Sequence, residues 1–321
     1  MEEIKITEIE NIKIGQAEDL EKGTGCTVFV SEKGMPAGLD VRGGGPASRE
    51  SELLKPMAAA KEIHAIVLSG GSVFGLEASA GVVKCLNENG IGFDVGVTKA
   101  PLVCQSGLFD LTVGDSKAFP DKDMGYLATK RALEGGNYKD GNFGAGCGAS
   151  VGKWNGMKNS MKSGIGSFAI RIGNLKVGAV VAVNAAGDIF DYKTGKKEAG
   201  VLKADGKEFD DVLEVMLKNT GVVENKFVEN TTLAVVITNA KFDKTKLCKI
   251  SGMAHDGYAR SIKPVHTSVD GDSIYAVSVG EIEADIDAVG TLAAEVVSEA
   301  ILRAINSCDS AYGLKAAKDL K

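Results

Sequence analysis

The sequence predicts a layered α+β fold rather than a doubly wound parallel sheet. Strand-like and helix-like stretches come in blocks instead of alternating one by one. The apolar runs at 63–68, 177–183 and 233–238 are rich in β-branched residues and read as buried core strands. With 321 residues and 44% hydrophobic content, the chain can bury a large core.

In chain order, residues 26–30 and 38–41 read as two short strands joined by the turn Glu32-Lys33-Gly34. Arg42-Gly43-Gly44-Gly45-Pro46 follows, where three glycines forbid regular structure and bring backbone close to something else. The core strand 63–68 turns through Ser69-Gly70-Gly71-Ser72 into a helix. Ser72 is its expected N-cap, and Val73, Leu76, Ala80, Val83 and Leu86 stand at helical spacing. A second helix is expected over 125–133, then a second glycine cluster over 141–149. Residues 167–172 and 177–184 read as an antiparallel pair across Gly173-Asn174. From 193 to 229 the chain is polar and Lys-rich, with one modest helical pattern near 208–217. After the strand 233–238 come a helix over 245–262 and a strand over 274–279. A long helix closes the pattern, with Ile286, Val289, Leu292, Ala293, Val296, Val297, Ala300 and Ile301 on one face and Asp285 or Asp287 near its start.

Composition excludes several functions. A net charge of −6 argues against nucleic acid, which wants a basic face. No stretch is apolar for long enough to cross a bilayer, and the acidic start has no apolar run of a secretory signal. Six cysteines without a CxxC pair read as reduced thiols of a cytoplasmic protein. His64, His255 and His266 are too dispersed to suggest a metal site. The P-loop-like Cys147–Lys153 stretch lacks the first glycine and has Trp154 where a Ser or Thr must hold magnesium. Gly144-Ala145-Gly146 fits a relaxed dinucleotide fingerprint, but turn-like sequence precedes it instead of a strand. No metal or other cofactor is therefore expected.

The stretch with chemical promise is Asn230-Thr231-Thr232, where a loose segment feeds a core strand. If the Asn230–Thr231 bond is cut, Thr231 gains an α-amine that can act as base for its own hydroxyl. A free α-amine has a pKa of about 7.7–8.0, near working pH. Thr-Thr before a Val-rich run is also ordinary strand composition, so this reading needs support. Lys153, between a glycine cluster and a strand pair, reads by default as a solvated surface lysine. Asn184, ending a buried run, is either a turn former or an oxyanion donor. Asp270-Gly271-Asp272 either aims two carboxylates at one spot or makes a tight Asp-Gly turn. His255 reads as a packed or paired histidine, and nothing supports a Cys147–His nucleophile pair.

With these residues in hand, the chain resembles the self-processing S58 aminopeptidase/amidase family. That family includes L-aminopeptidase D-esterase/amidase, β-peptidyl aminopeptidases and the nylon-oligomer hydrolase. The resemblance runs from about Ile6 to Val279. It rests on Ile14-Gly15-Gln16-Ala17, Asp40-Val41-Arg42-Gly43-Gly44 and His64-Ala65-Ile66-Val67-Leu68-Ser69-Gly70-Gly71-Ser72. Gly141-Asn142, Gly144-Ala145-Gly146, Val183-Asn184-Ala185 and Asn230-Thr231-Thr232 continue it. Met253-Ala254-His255-Asp256-Gly257 and Pro264-Val265-His266-Thr267 lead into Asp270-Gly271-Asp272.

The resemblance implies a four-layer αββα sandwich and one catalytic domain, 1–321, that cleaves itself into an α chain 1–230 and a β chain 231–321. It implies Thr231 as nucleophile, Lys153 and Asn184 around it, and Asp270 and Asp272 as the pair that orients it. Thr231 with two aspartates looks more like the nylon-oligomer-hydrolase branch than the serine branch. Phe109 stands where several relatives have a tyrosine near the substrate, and Cys147 where many have a threonine. The implied activity is hydrolysis of amide bonds in a small peptide or amide, by a homo-oligomer of processed pairs. Two alternatives stay open: an acyltransferase of the ornithine acetyltransferase type, and a non-catalytic ligand-binding module.

Overall fold

The computed structural model describes residues 1–218 and 230–320. Two sheets stack face to face, and each carries a helix pair on its outer face. Six strands form the larger sheet, in the order Glu2–Ile4, Ile165–Ile172, Leu175–Ala182, Leu233–Ala240, Ser273–Ile282, Ala37–Val41. Five form the smaller one, in the order Lys13–Asp19, Thr24–Met35, Ile63–Ser69, Val103–Gly107, Ala47–Arg49. Helices α1 (Ala78–Glu88) and α2 (Lys122–Leu133) cover the five-stranded sheet. A short α3 (Val212–Lys218) sits beside the turn Lys153–Asn155, and α4 (Lys244–Ser261) and α5 (Ile286–Ser307) cover the six-stranded sheet. The layers run helices, sheet, sheet, helices: the αββα sandwich that the resemblance implies.

Strand periodicity sorts side chains between these layers. Leu233, Val235 and Ile237 point between the sheets, with Phe29, Ile66, Leu68, Tyr275 and Val277. Ala234 and Val236, one residue out of step, meet α4 and α5 instead, beside Val296 and Ile301. Both faces of the central strands are thus covered, which is why they read as continuous apolar runs. Asp121, Asp243 and Asp285 cap the three longer helices α2, α4 and α5, each accepting a backbone N–H of the first turn.

Three local expectations need correction. Residues 26–41 are not a hairpin. Thr24–Met35 is one long strand that absorbs residues 31–34 in an irregularity, and the chain changes sheet at Pro36, whose carbonyl accepts from Ser278. Ser72 does not cap a helix: it has a left-handed φ of 51°, and α1 starts only after the 3-10 turn Phe74–Glu77. The buried face of α1 is Ala78, Val82, Cys85 and Leu86, while Val73 and Ala80 are exposed. The segment 219–229, part of the expected polar stretch, lies outside the described residues.

Among the described residues, no helix is long and apolar enough to cross a membrane, and no three His, Cys, Asp or Glu side chains group as metal ligands. All six cysteines are free thiols.

Candidate active site

Topology brings the site together. Strands Leu233–Ala240 and Ser273–Ile282 are parallel, with Leu233 opposite Ser273, so the loops entering them meet at one end. A further bridge pairs Asn230 with Asp270. Strand Leu175–Ala182 is antiparallel to Leu233–Ala240, with Ala182 opposite Leu233, so Asn184 leaves its strand at that same end. Lys153 joins through its backbone, donating to the Ala186 carbonyl at 2.9 Å.

Thr231 is buried here, 2% exposed. Its hydroxyl donates to the Asn230 carbonyl oxygen at 2.6 Å. The Gly271 N–H donates to the same oxygen at 2.7 Å. The Thr231 N–H donates to the Asn184 carbonyl at 2.9 Å. Thr231, Asn230, Asn184 and the Asp270–Asp272 loop are therefore in direct contact.

Asn184 is fully buried, and its side-chain amide is used at both ends. The Oδ1 atom accepts from Lys153 Nζ at 2.7 Å and from the Ser150 N–H at 3.1 Å. The Nδ2 group donates to the Phe109 carbonyl at 2.8 Å. Phe109 thus enters the site through its backbone, with its side chain half-buried. An Asn locked on three partners is not a turn former exposed to water.

Lys153 is not on the surface. It is buried, and its Nζ also donates to the Asn184 carbonyl at 3.3 Å. That oxygen serves both the Lys153 amine and the Thr231 N–H. Burial pushes the Lys153 ammonium down to about 7, against the opposing pull of Asp270 and Asp110.

The two aspartates are held separately. Asp270 Oδ2 accepts from the Thr267 N–H at 2.7 Å and the Thr267 hydroxyl at 2.6 Å. Burial, then the neighbouring charge of Asp272, pushes the Asp270 carboxyl up to about 6. Asp272 Oδ1 accepts from the Thr232 N–H at 2.8 Å, and its Oδ2 accepts from the His266 N–H at 3.1 Å and lies 2.9 Å from His266 Nδ1. The turn here closes from Asp270 N–H to Thr267 O, so Asp270-Gly271 is not a hairpin tip.

Two of the glycine clusters find their reason at this end. A side-chain carbon on Gly43 would stand 2.3 Å from the Asp270 carbonyl, so the Arg42–Gly45 stretch lies flat against the aspartate loop. Gly45 and Arg42 N–H groups donate to the Asp270 and Asp272 carbonyls. The Ser69–Ser72 turn holds an internal side chain, that of Asp110. Asp110 accepts from the Gly71 N–H at 2.7 Å and the Thr24 hydroxyl at 2.9 Å. Sequence reasoning missed Asp110, which burial pushes up to about 6, and the Gly271 N–H. Asp110 stands next to Phe109 in the sequence, and Gly271 between the paired aspartates. Cys147 contacts the Tyr312 hydroxyl and the Asp19 carbonyl, and burial pushes its thiol up to about 11.

The family model of peptidase family S58 matches residues 5–318. The chain belongs to peptidase family S58. As an S58 peptidase it is a hydrolase. Its sequence is 31% identical to an uncharacterized aminopeptidase of Mycobacterium leprae, over 96% of this chain and 92% of that protein. It is 28% identical to a 6-aminohexanoate-oligomer endohydrolase of Kocuria sp., over 91% of this chain and 83% of that one. In structure the S58 chain resembles the L-aminopeptidase D-Ala-esterase/amidase of Ochrobactrum anthropi, described as a variant of the Ntn hydrolase fold. The TM-score is 0.67 at 16% identity, covering 94% of this chain and 86% of that chain. A β-aminopeptidase of Burkholderia sp. matches with a TM-score of 0.65 at 18% identity, over 98% and 91% of the two chains.

Proposed function

We propose that this S58 chain is a self-processing hydrolase that uses Thr231 as an N-terminal nucleophile on amide bonds of short peptides or linear amide oligomers. The observation that carries the reading is the threonine hydroxyl lying 2.6 Å from the carbonyl oxygen of its own preceding residue.

In the first step Thr231 Oγ bonds to the Asn230 carbonyl carbon and the Asn230–Thr231 C–N bond breaks. The hydroxyl proton ends on the departing nitrogen. As charge develops on the Asn230 oxygen, the Gly271 N–H already donates to it. Water then hydrolyses the ester, leaving the Asn230 carboxylate on chain 1–230 and a free amine on chain 231–321.

In the second step that amine is the base for Thr231 Oγ as it attacks a substrate amide. It inherits the Asn184 carbonyl as acceptor and Lys153 as a neighbour, and any positive charge on Lys153 disfavours its protonation. Asn184 Nδ2 carries a second hydrogen beyond the one given to Phe109 and would stabilise the oxyanion. Asp270 and Asp272 orient the nucleophile or hold a substrate ammonium. Phe109, half-buried at Asn184, lines the approach for the substrate.

The six free thiols support a cytoplasmic setting, and the family resemblance supports an oligomer of processed pairs. Mass spectrometry of purified protein tests the core of the reading. A fragment beginning at Thr231 is expected, together with amidase activity that Thr231→Ala abolishes. A chain intact in its active form, or turnover by Thr231→Ala, would refute it. Acyl transfer to an amino-acid amine in place of water would assign the same nucleophile a different acceptor.

A further inference from the structure

Among the described residues, three nitrogens lie at hydrogen-bond distance from the Asp272 carboxylate, two of them backbone N–H donors and the third a ring nitrogen. They are the Thr232 N–H on Oδ1, and the His266 N–H and ring Nδ1 on Oδ2. We propose that His266 is a positioning residue whose Nδ1–H holds Asp272 as a fixed carboxylate under the Thr231–Thr232 backbone, leaving Asp270 as the member of the pair that exchanges a proton. The inference rests on the reading of Thr231 as nucleophile.

The rest of the surroundings agree. His266 Nε2 is buried with no hydrogen-bond partner among the described residues, as expected of a neutral ring whose one proton sits on Nδ1. The opposite tautomer would bury an unpaired donor and turn a nitrogen lone pair onto a carboxylate. The backbone at His266 is left-handed, φ 57°, which a bulky residue adopts seldom, and it is there that both the peptide N–H and the ring reach the same oxygen.

The ring packs edge-on against His255, centroids 4.7 Å apart, and tilted against Tyr258 at 6.0 Å. His255 Nε2 lies 3.1 Å from the Asp40 carbonyl, an acceptor only, so that nitrogen carries the proton. Burial pushes His255 down to about 4, so it brings no competing cation. The Tyr258 phenol is raised by burial, then by the charge of Asp272. Beyond His255 stand Asp40 and Arg42, paired at 2.9 Å. Lys153 acts on the other carboxylate: its charge opposes the rise at Asp270, and Asp110 exerts a lesser pull on Lys153. Asp270, held among the described residues by two donors from one threonine, is the weaker-held charge.

The pair can be tested without turnover. In the uncut Thr231→Ala chain labelled with 15N-histidine, only three imidazoles contribute signals. His266 is expected as the neutral Nδ1–H tautomer at pH 8, and an Nε2–H tautomer would overturn the inference even in an inactive protein. In the active enzyme, His266→Leu should lower kcat about tenfold or more, since a hydrogen bond to a charged group is lost. Its acid limb should also move, because one of the donors that fix the carboxylate under the Thr231–Thr232 backbone is lost. His266→Asn offers an N–H at the same place and tolerates the left-handed backbone, so it should keep the wild-type limb. A His266→Leu enzyme with native rate and limb overturns the proposal, as does a folded His266→Asn that behaves like the leucine variant. Should His266→Leu fail to fold, His266→Asn and the tautomer decide the matter. Absence of amidase activity in the wild-type enzyme, with the Nδ1–H tautomer found in the Thr231→Ala chain, would instead sink the function assigned to Thr231.

Discussion

Gly271 and Thr231 face each other across the entry to the parallel strand pair, and the glycine is there because nothing larger fits. A side-chain carbon at 271 would stand 2.5 Å from Thr231 Oγ1 and 3.0 Å from the Gly45 carbonyl. The same residue's N–H holds the Asn230 carbonyl oxygen. One position therefore leaves room for the hydroxyl and supports the carbonyl it touches.

Gly271→Ala should for that reason leave a folded but slowly cut chain. The methyl pushes the threonine hydroxyl off the carbonyl it contacts, and misplacement of about 1 Å is enough to cost about 100-fold in a positioned reaction. A time course on denaturing gels checks this. Fragments appearing as fast as in wild type would show that the contact does not limit cleavage.

Asn184→Asp separates the donor from the acceptor. The Oδ1 partners Lys153 and Ser150 can remain, but the Nδ2 donor is gone and a charge stands beside Lys153. We expect kcat of processed enzyme to fall about 100- to 1,000-fold, the usual cost of one oxyanion donor. Steady-state kinetics on a chromogenic amide would measure it, and a change confined to KM would refute the oxyanion role.

Lys153→Met should move the acid limb of the amidase pH profile upward. With Lys153 present, two amines share one carbonyl acceptor, and a charge on one disfavours a charge on the other. Without it the Thr231 amine should return toward its ordinary value of about 7.7–8.0. Activity is then lost earlier as pH falls. An unmoved limb would separate Lys153 from the base.

Asp270→Asn should stabilise the uncut Thr231→Ala chain above neutral pH. The folded carboxyl titrates at about 6, above its ordinary 3.8. The folded state keeps a proton that the unfolded chain has released in between, so stability falls as pH rises through that window. The asparagine cannot ionise, and its carbonyl oxygen can accept both Thr267 donors. Melting at pH 8 should rise by a few degrees, for a relief of about 1–3 kcal/mol, and the gain should vanish near pH 4. A lower melting point at pH 8 would mean that the ionised carboxylate holds the loop together.

Much of this molecule was legible in its sequence where apolar runs coincide with layers. The strands at 63–68, 177–183 and 233–238 are buried on both faces and read as continuous apolar runs, and the long C-terminal helix buries the face its periodicity marks. Strand Val103–Gly107 escaped notice because its buried polar residues, Gln105 and Ser106, are paid for by bonds to Ser69, Gly75 and Tyr275 that sequence cannot show. Lys13–Asp19 mixes charges and a glycine, and gives no alternation to follow. At the site, Thr231, Asn184 and the aspartates were marked by their types and places at strand ends. Lys153 looked exposed from its type, and only the fold shows it buried on Asn184. Asp110 and His266 act through partners far away or around a turn, a relation no local pattern encodes.

The strand order of the larger sheet carries one more implication. Its two strands from beyond residue 231 lie side by side, with Leu175–Ala182 along one flank and Ala37–Val41 along the other. A break between Asn230 and Thr231 would thus yield pieces woven through each other, neither able to slip free without tearing hydrogen-bond ladders on two fronts. Severed, such a protein would migrate as one body until denatured, and parting its fragments would amount to unfolding it.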